Sequence, residues 1–235
     1  MRVPTQVTVQ NRLLQRMAPG DFDRIQPFLE RVDLPLRLVL VHQNIPFHHV
    51  WFLEEGLGSI IAAALDDEKV EVAHVGRDGL AGKSAILGVT QSTNMTFMQI
   101  AGSGFRMPTD RLTQAMDESK TLRPFLMRYV HVAMTQLSQT ALANGRYNLQ
   151  ERLARWLLMC HDRSSDDDLA LTHEFLSLML GVRRSGVTEA IHLLEGMHLI
   201  KATRGQVRIL KRDKLEQIAG GCYGVTEAEY SRLIG

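Results

Sequence analysis

From about residue 34 to 108 the apolar positions come in short runs. "LRLVLVH", "HVWFL", "SIIAAAL", "VEVAHV" and "MTFMQI" are apolar or alternating and rich in β-branched or aromatic residues. That is the pattern of buried or half-buried strands. "PFHH", "EEGLG", "DDEK" and "GRDG" punctuate them. Short strands at roughly 8–12-residue spacing, with turn signals between, predict an antiparallel sandwich or barrel. "SIIAAALDDEKVEVAHV" predicts a hairpin with Asp66 to Lys69 at its tip. From 109 to 162 the period becomes helical. "PTDRLTQAMDE" opens with Thr109 as a cap candidate, a long run follows from Leu122 to Tyr147, and "NLQERLARWLLMCHD" is a further amphipathic helix. In the long run Phe125, Leu126, Tyr129, Val132, Ala133, Leu137, Thr140 and Ala141, with the polar Gln136, recur at spacings close to a heptad. A small β-domain does not easily cover so long a helix. The stripe therefore predicts a homodimer seam through Phe125, Tyr129, Val132, Gln136, Leu137 and Thr140, against packing only inside its own chain.

The acidic turn "DRSSDDD" (162–168) is the best linker candidate. "LTHEFLSLMLGVRRSGVTEAIHLLEGMHLIKATRGQVRILKRDKLEQIA" then reads helix, tight turn, helix, strand, turn, strand, helix. Thr172 can cap a helix over 173–180, and Gly181 can end it. A second helix is predicted from Arg184 to Gly196. Ser177, Gly181 and Val187 stand where a helix-turn-helix wants a small residue, a turn glycine and an apolar lock. Leu176, Leu180, Val182, Val187, Ile191 and Leu194 can join the two helices, and Arg204 and Gly205 would tip a β-hairpin wing. In this motif the start of the second helix meets base edges in the major groove. Arg183, Arg184 and Ser185 lie there, and an arginine fork suits guanine O6 and N7. Glu189, one turn on, could accept from a cytosine amino group.

Charge sharpens this reading. The 235-residue chain carries a net charge of only +1, yet residues 183–214 hold eight Lys or Arg against three acids. A basic face confined to one motif is the footprint of DNA binding. The length allows two domains, and 45% hydrophobic with 23% charged residues is ordinary globular composition. Cys160 and Cys222 form no CxxC pattern, so neither a disulfide framework nor a metal site is expected. The N-terminus lacks an apolar signal region, and "IIAAAL" is far short of a membrane span, so a cytoplasmic protein with no membrane partner is expected. No G-x-S-x-G or HExxH occurs, so no catalytic residues are expected and the chain does not read as an enzyme. "RDGLAGKS" (77–84) is nearly a P-loop, with Gly82, Lys83 and Ser84 fitting and Gly76 one place early. It keeps open a competing reading, a nucleotide-binding sensor or hydrolase. The His48–His49 pair would point to opposite faces of a strand and is a poor chelate.

On these residues the chain, from about 10 to 225, resembles the Crp/Fnr superfamily of bacterial transcription regulators. "LTHEFLSLMLGVRRSGVTEAIHLLEGMHLIKATRGQVRIL" is similar to its winged helix, "LQERLARWLLMCHDR" to the helix before it, and "VWFLEEGLGSI" with "VEVAHVGRDGLAG" to its barrel. The resemblance implies an α+β fold in three parts. Residues 1–118 would be an antiparallel jelly-roll, cyclic-nucleotide-binding-like barrel, 119–148 a central dimerisation helix, and 149–235 a winged helix-turn-helix. It implies a homodimer on a pseudo-palindromic operator, with a barrel signal that repositions the DNA-binding domains. RNA polymerase is a candidate partner. Arg184 matches the family's reading arginine, while Thr172, Thr188, His192, Arg204 and Arg208 are candidate phosphate contacts. Ser185 and Glu189 differ from well-known members, so a different operator is expected. The effector chemistry also departs. Where cyclic-AMP-binding members carry Gly-Glu this chain has Gly82-Lys83, and Thr93 falls near their phosphate arginine. Gly82, Lys83, Ser84 and Thr93 are thus candidates for a lost or altered effector pocket, with no cyclic AMP expected. Residues 1–159 hold no cysteine, which excludes the family's iron–sulfur chemistry. His42, His48, His49, His74 and His131 are candidate heme ligands, but histidines without a metal role are commoner, and no cofactor is expected.

Overall fold

The computed structural model describes residues 4–66 and 68–235. Asp67, part of the expected hairpin tip, and residues 1–3 lie outside the described residues. The chain divides into two compact units. The first contains described residues of 1–60, 74–134 and 229–235, the second those of 61–73 and 135–228.

The first unit opens with α1 (Arg12–Arg16) and α2 (Pro19–Ile25), followed by β1 (Glu30–Leu34), β2 (Val39–Val41) and β3 (His49–Leu53). Then come β4 (Leu57–Ala63), β5 (Lys69–Val75), β6 (Leu80–Ala81), β7 (Met95–Ile100), β8 (Gly102–Pro108), α3 (Thr109–Glu118) and α4 (Leu122–Arg146). The strands form two four-stranded sheets, ordered β1-β8-β3-β6 and β2-β7-β4-β5. The expected α+β class with an antiparallel barrel is observed. Strand β8 escaped the sequence pattern because Gly102 and Gly104 dilute it. A Cβ at Gly104 would stand 2.5 Å from the Phe52 carbonyl oxygen, so the close approach of β3 requires glycine there. Asn11 pins α1 to the barrel. Its buried amide donates to Leu53 and Gly79 carbonyls, both at 2.8 Å, and its oxygen accepts from Leu14 N at 3.2 Å. Thr109 is inside α3 rather than capping it; Pro108 holds the cap position.

The first unit's core runs from Leu13, Phe22 and Phe52 to the start of α4. Phe125, Tyr129 and Val132 are buried in that core, and Tyr129 Oη accepts from Leu80 N at 3.1 Å. Gln136 is also buried, while Leu137 and Thr140 are partly buried. The expected seam is therefore corrected at Phe125, Tyr129, Val132 and Gln136, which face the chain's own interior. A different stripe is exposed, Met127, His131, Met134, Ser138 and Ala141.

The second unit holds α5 (Leu149–His161), β9 (Asp168–Leu169), α6 (His173–Leu180), α7 (Arg184–Gly196), β10 (Ile200–Thr203), β11 (Gln206–Ile209) and α8 (Arg212–Ala219). A last helix, α9 (Val225–Leu233), begins here, and residues 229–235 belong to the first unit. There Ile234 is buried and Glu229 Oε1 lies 2.9 Å from His131 Nε2. Within the second unit, Asn148 and Glu151 close α5 with a reciprocal capping box. Trp156 Nε1 donates to Glu71 Oε1 at 2.6 Å, so the β4–β5 arm is bonded to α5. The stretch 162–168 is not a linker, because both its flanks lie in this unit. Asp162 takes Arg212 and Tyr223 at 2.8 Å each, and Asp168 begins a strand paired with β11. Among the described residues no helix is long and apolar enough to cross a membrane.

Candidate nucleic-acid interface

The expected helix-turn-helix forms with the predicted boundaries. Thr172 Oγ1 accepts from Phe175 N at 3.2 Å and caps α6. Gly181, at φ 61°, ends that helix in the left-handed region. Its N–H donates to Leu178 O, and Val182 N donates to Ser177 O at 3.0 Å. Leu176, Leu180, Val187, Ile191 and Leu194 are buried where α6 and α7 meet, and Val182 is partly buried. The Arg152 guanidinium donates to Leu180 O, fastening the end of α6 to α5. Burial lowers its pKa without a carboxylate beside it. This support was not legible, because an arginine inside an amphipathic helix looks like solvated surface.

Arg183 holds the N-cap position of α7 but its side chain makes no cap bond. Arg183, Arg184, Ser185 and Glu189 are all exposed. Arg184, Ser185, Thr188, Glu189 and His192 fall on one face of α7 by helical spacing. The wing forms as expected, with Thr203 opposite Gln206 and Gly205 at φ 78°. Glu195 Oε1 accepts from Ala202 N at 2.7 Å, which ties β10 to α7. Between the two helices and the wing runs a groove of about 720 Å³. Thr172, Arg184, His192 and Arg204 line it, together with His173, which sequence reasoning missed.

Two of the expected phosphate contacts have partners within the domain. Arg208 forks onto Asp168, with Nε 2.7 Å from Oδ1. The hydrogen bond lowers the Asp168 pKa and raises that of Arg208, so this cation is already matched. Thr188 Oγ1 donates its proton to Arg184 O at 3.1 Å.

The other candidates are not brought together in this way. Gly82, at φ 83°, precedes a short 3-10 turn over Lys83–Leu87 that contains Lys83 and Ser84. Burial pushes the Lys83 ammonium down to about 8. Thr93 is exposed in the loop before β7, and among the described residues no hydrogen bond joins it to Lys83. The P-loop reading fails on geometry. Strand β6, antiparallel to β3, interrupts 77–84, and no α-helix follows. Of the candidate heme ligands, His42 and His48 are exposed, His49 is tilted against Trp51, His74 is buried and His131 meets Glu229. Among the described residues no three His, Cys, Asp or Glu side chains group as metal ligands.

Residues 151–218 match the family model of the Crp-like helix-turn-helix domain. The chain carries a Crp-like helix-turn-helix domain. This domain spans α5 to α8 and so includes the groove, the recognition helix and the wing. No curated protein matches the chain. Solved structures match it along most of its length. FixK2 from Bradyrhizobium japonicum is 15% identical, with 82% of this chain and 98% of that one covered and a TM-score of 0.70. The c-di-GMP-responsive global regulator CLP from Xanthomonas campestris is 18% identical over 82% of this chain and 99% of that one, TM-score 0.57. TTHA1359, a transcriptional regulator of the CRP/FNR family from Thermus thermophilus, is 18% identical over 81% and 98%, TM-score 0.53. The fold is that of a Crp-family transcriptional regulator with a helix-turn-helix DNA-binding domain, and the resemblance read from the sequence is borne out.

Proposed function

We propose that this chain is a homodimeric, sequence-specific transcription regulator of bacterial cytoplasm that reads a pseudo-palindromic operator through α7. The observation that carries this is the start of α7. Among the described residues, no hydrogen bond or ion pair holds the side chains of Arg183, Arg184, Ser185 or Glu189. A folded chain that presents two unmatched guanidiniums beside a groove and a wing leaves them for an anionic, edge-rich partner. Arg184 is the first base-reading residue; Arg183, Ser185 and Glu189 flank it. Thr172, His192 and Arg204 meet phosphates, which position the domain without specifying sequence.

The second copy sits on the exposed face of α4. Met127, His131, Met134, Ser138 and Ala141 recur at alternating steps of four and three, the spacing of a two-helix seam. Two recognition helices then meet half-sites about one helical turn apart. The barrel senses a signal other than cyclic AMP, or none. Lys83 stands where a ribose-binding acid would, and no arginine stands near Thr93 for a cyclic phosphate. RNA polymerase is the partner expected of an activator.

The test is selection from random duplex DNA by the purified chain, with no effector added. Enrichment of a palindrome with half-sites about one turn apart is the expected result. Absence of any duplex retention even at low salt overturns the reading, because the phosphate term alone gives nonspecific binding.

A further inference from the structure

We infer that His173 is a proton-dependent phosphate contact, so that the protein takes up a proton from solvent as it binds DNA. This rests on the DNA-binding reading above. The hydrogen-bond directions around the ring carry it. His173 Nδ1 lies 3.0 Å from Thr188 Oγ1, and that hydroxyl donates to Arg184 O at 3.1 Å. A carbonyl oxygen only accepts, and a hydroxyl has one proton. The Thr188 proton therefore points to Arg184 O, and its lone pair faces the ring. While that bond to the carbonyl is kept, Nδ1 carries a hydrogen in both the neutral and the charged ring.

In the neutral ring Nε2 is then a bare acceptor, with no hydrogen-bond partner among the described residues. A phosphate oxygen is an acceptor too, so the two repel. Moving the ring hydrogen to Nε2 requires the Thr188 hydroxyl to turn from Arg184 O to Nδ1, which gives up its bond to that carbonyl. Protonation resolves this. The imidazolium donates to Thr188 from Nδ1 and to a phosphate oxygen from Nε2, a charge-assisted bond.

The surroundings fit. His173 is partly buried and lines the groove that Arg184 and Arg204 share. The charged and titratable groups that line the groove with it are Glu174 on α6, Arg184, His192 and Glu195 on α7, and Arg204 on the wing. Two carboxylates oppose two guanidiniums, and the Glu195 carboxylate already takes Ala202 N. A phosphate entering the groove adds the negative charge that favours the imidazolium. By linkage, affinity for DNA rises as pH falls.

The experiment measures binding of the full chain to a labelled duplex carrying the selected motif. Ionic strength is fixed and pH runs from about 8.5 to about 5.5, a range that brackets histidine titration. The expected result is a tightening of about tenfold per half-site, as each copy gains one charge-assisted bond. His173→Gln should bind weakly with most of that slope gone. His173→Arg, which is always charged, should bind tightly with no slope, and His42→Gln, exposed in the first unit, should keep the slope. Nitrogen chemical shifts of the free protein should show the hydrogen on Nδ1 of the neutral ring. A slope that survives His173→Gln, one that disappears with His42→Gln instead, or a hydrogen on Nε2 overturns the inference. Duplex binding with no pH slope defeats this inference alone, whereas no duplex binding at any pH defeats the DNA-binding reading as well.

Discussion

At the scale of single residues, the helix-turn-helix separates guanidiniums that are matched from those that are not. Arg208 is neutralised by Asp168, whereas Arg183, Arg184 and Arg204 are not ion-paired among the described residues. Arg184→Ala should remove discrimination of about 1–3 kcal/mol at one base step while leaving the others. Repeating the duplex selection with the variant reads this directly, and an unchanged motif contradicts the assignment. Asp168→Asn should free Arg208 for a phosphate. The plot of log binding constant against log salt should then steepen by about 0.9, the value of one added phosphate contact. Which arginines are candidates was legible from their positions in the sequence. Which carry an unmatched charge was not, because Asp168 lies 40 residues from Arg208 and meets it only through the β9–β11 pairing.

At the scale of elements, local signals were strongest where the chain must turn. Thr172 and Gly181 bound α6 as expected, because each boundary depends on one residue's chemistry. A Cβ at Gly181 would stand 3.4 Å from Val70 Cγ2, an ordinary contact, so the strain of Gly181→Ala lies in the backbone. That substitution should cost about 1 kcal/mol, lower the melting temperature by about 2–4 °C and tilt α7 enough to weaken operator binding. Thermal melts and titrations of the same variant check both. Asn148→Ala, which opens the α5 capping box, should cost about 1 kcal/mol with base preference unchanged. Weaker elements were missed for the same physical reason. Strand β8 carries glycines demanded by neighbouring backbone, and β6 is only two residues long.

At the scale of the whole molecule, the long helix α4 has two uses for its side chains. Its large apolar residues complete the chain's own core, and a second stripe stays exposed. For the proposed dimer, Met134→Glu on that stripe should yield a monomer in sedimentation and reduce operator affinity far more than affinity for a single half-site. The C-terminal residues 229–235 contribute to the first unit through Glu229, whose carboxyl Arg232 and His131 hold down to about 2. Its folded value is depressed, so its stabilising effect is present above the ordinary carboxylate range and lost as pH falls through about 2. Hydrogen exchange in α9 should therefore accelerate over that acid window. Glu229→Gln should show fast exchange already at neutral pH, and slow exchange in that variant would contradict the role.

The sequence by itself determined a strand-rich part followed by helices from 109 onward, the turn at Gly181 and the arginines at the mouth of α7. These depend on periodicity, on one residue's backbone freedom and on local charge, all of which act between near neighbours. Only the tertiary structure decided which face of α4 is spent inside the chain and that 162–168 is no linker. It also decided that Asp168 matches Arg208 and that Thr188 comes within hydrogen-bond reach of the His173 ring. Those outcomes depend on which residues far apart in sequence come within hydrogen-bond reach, and a heptad pattern or a charge count is the same before and after that choice is made.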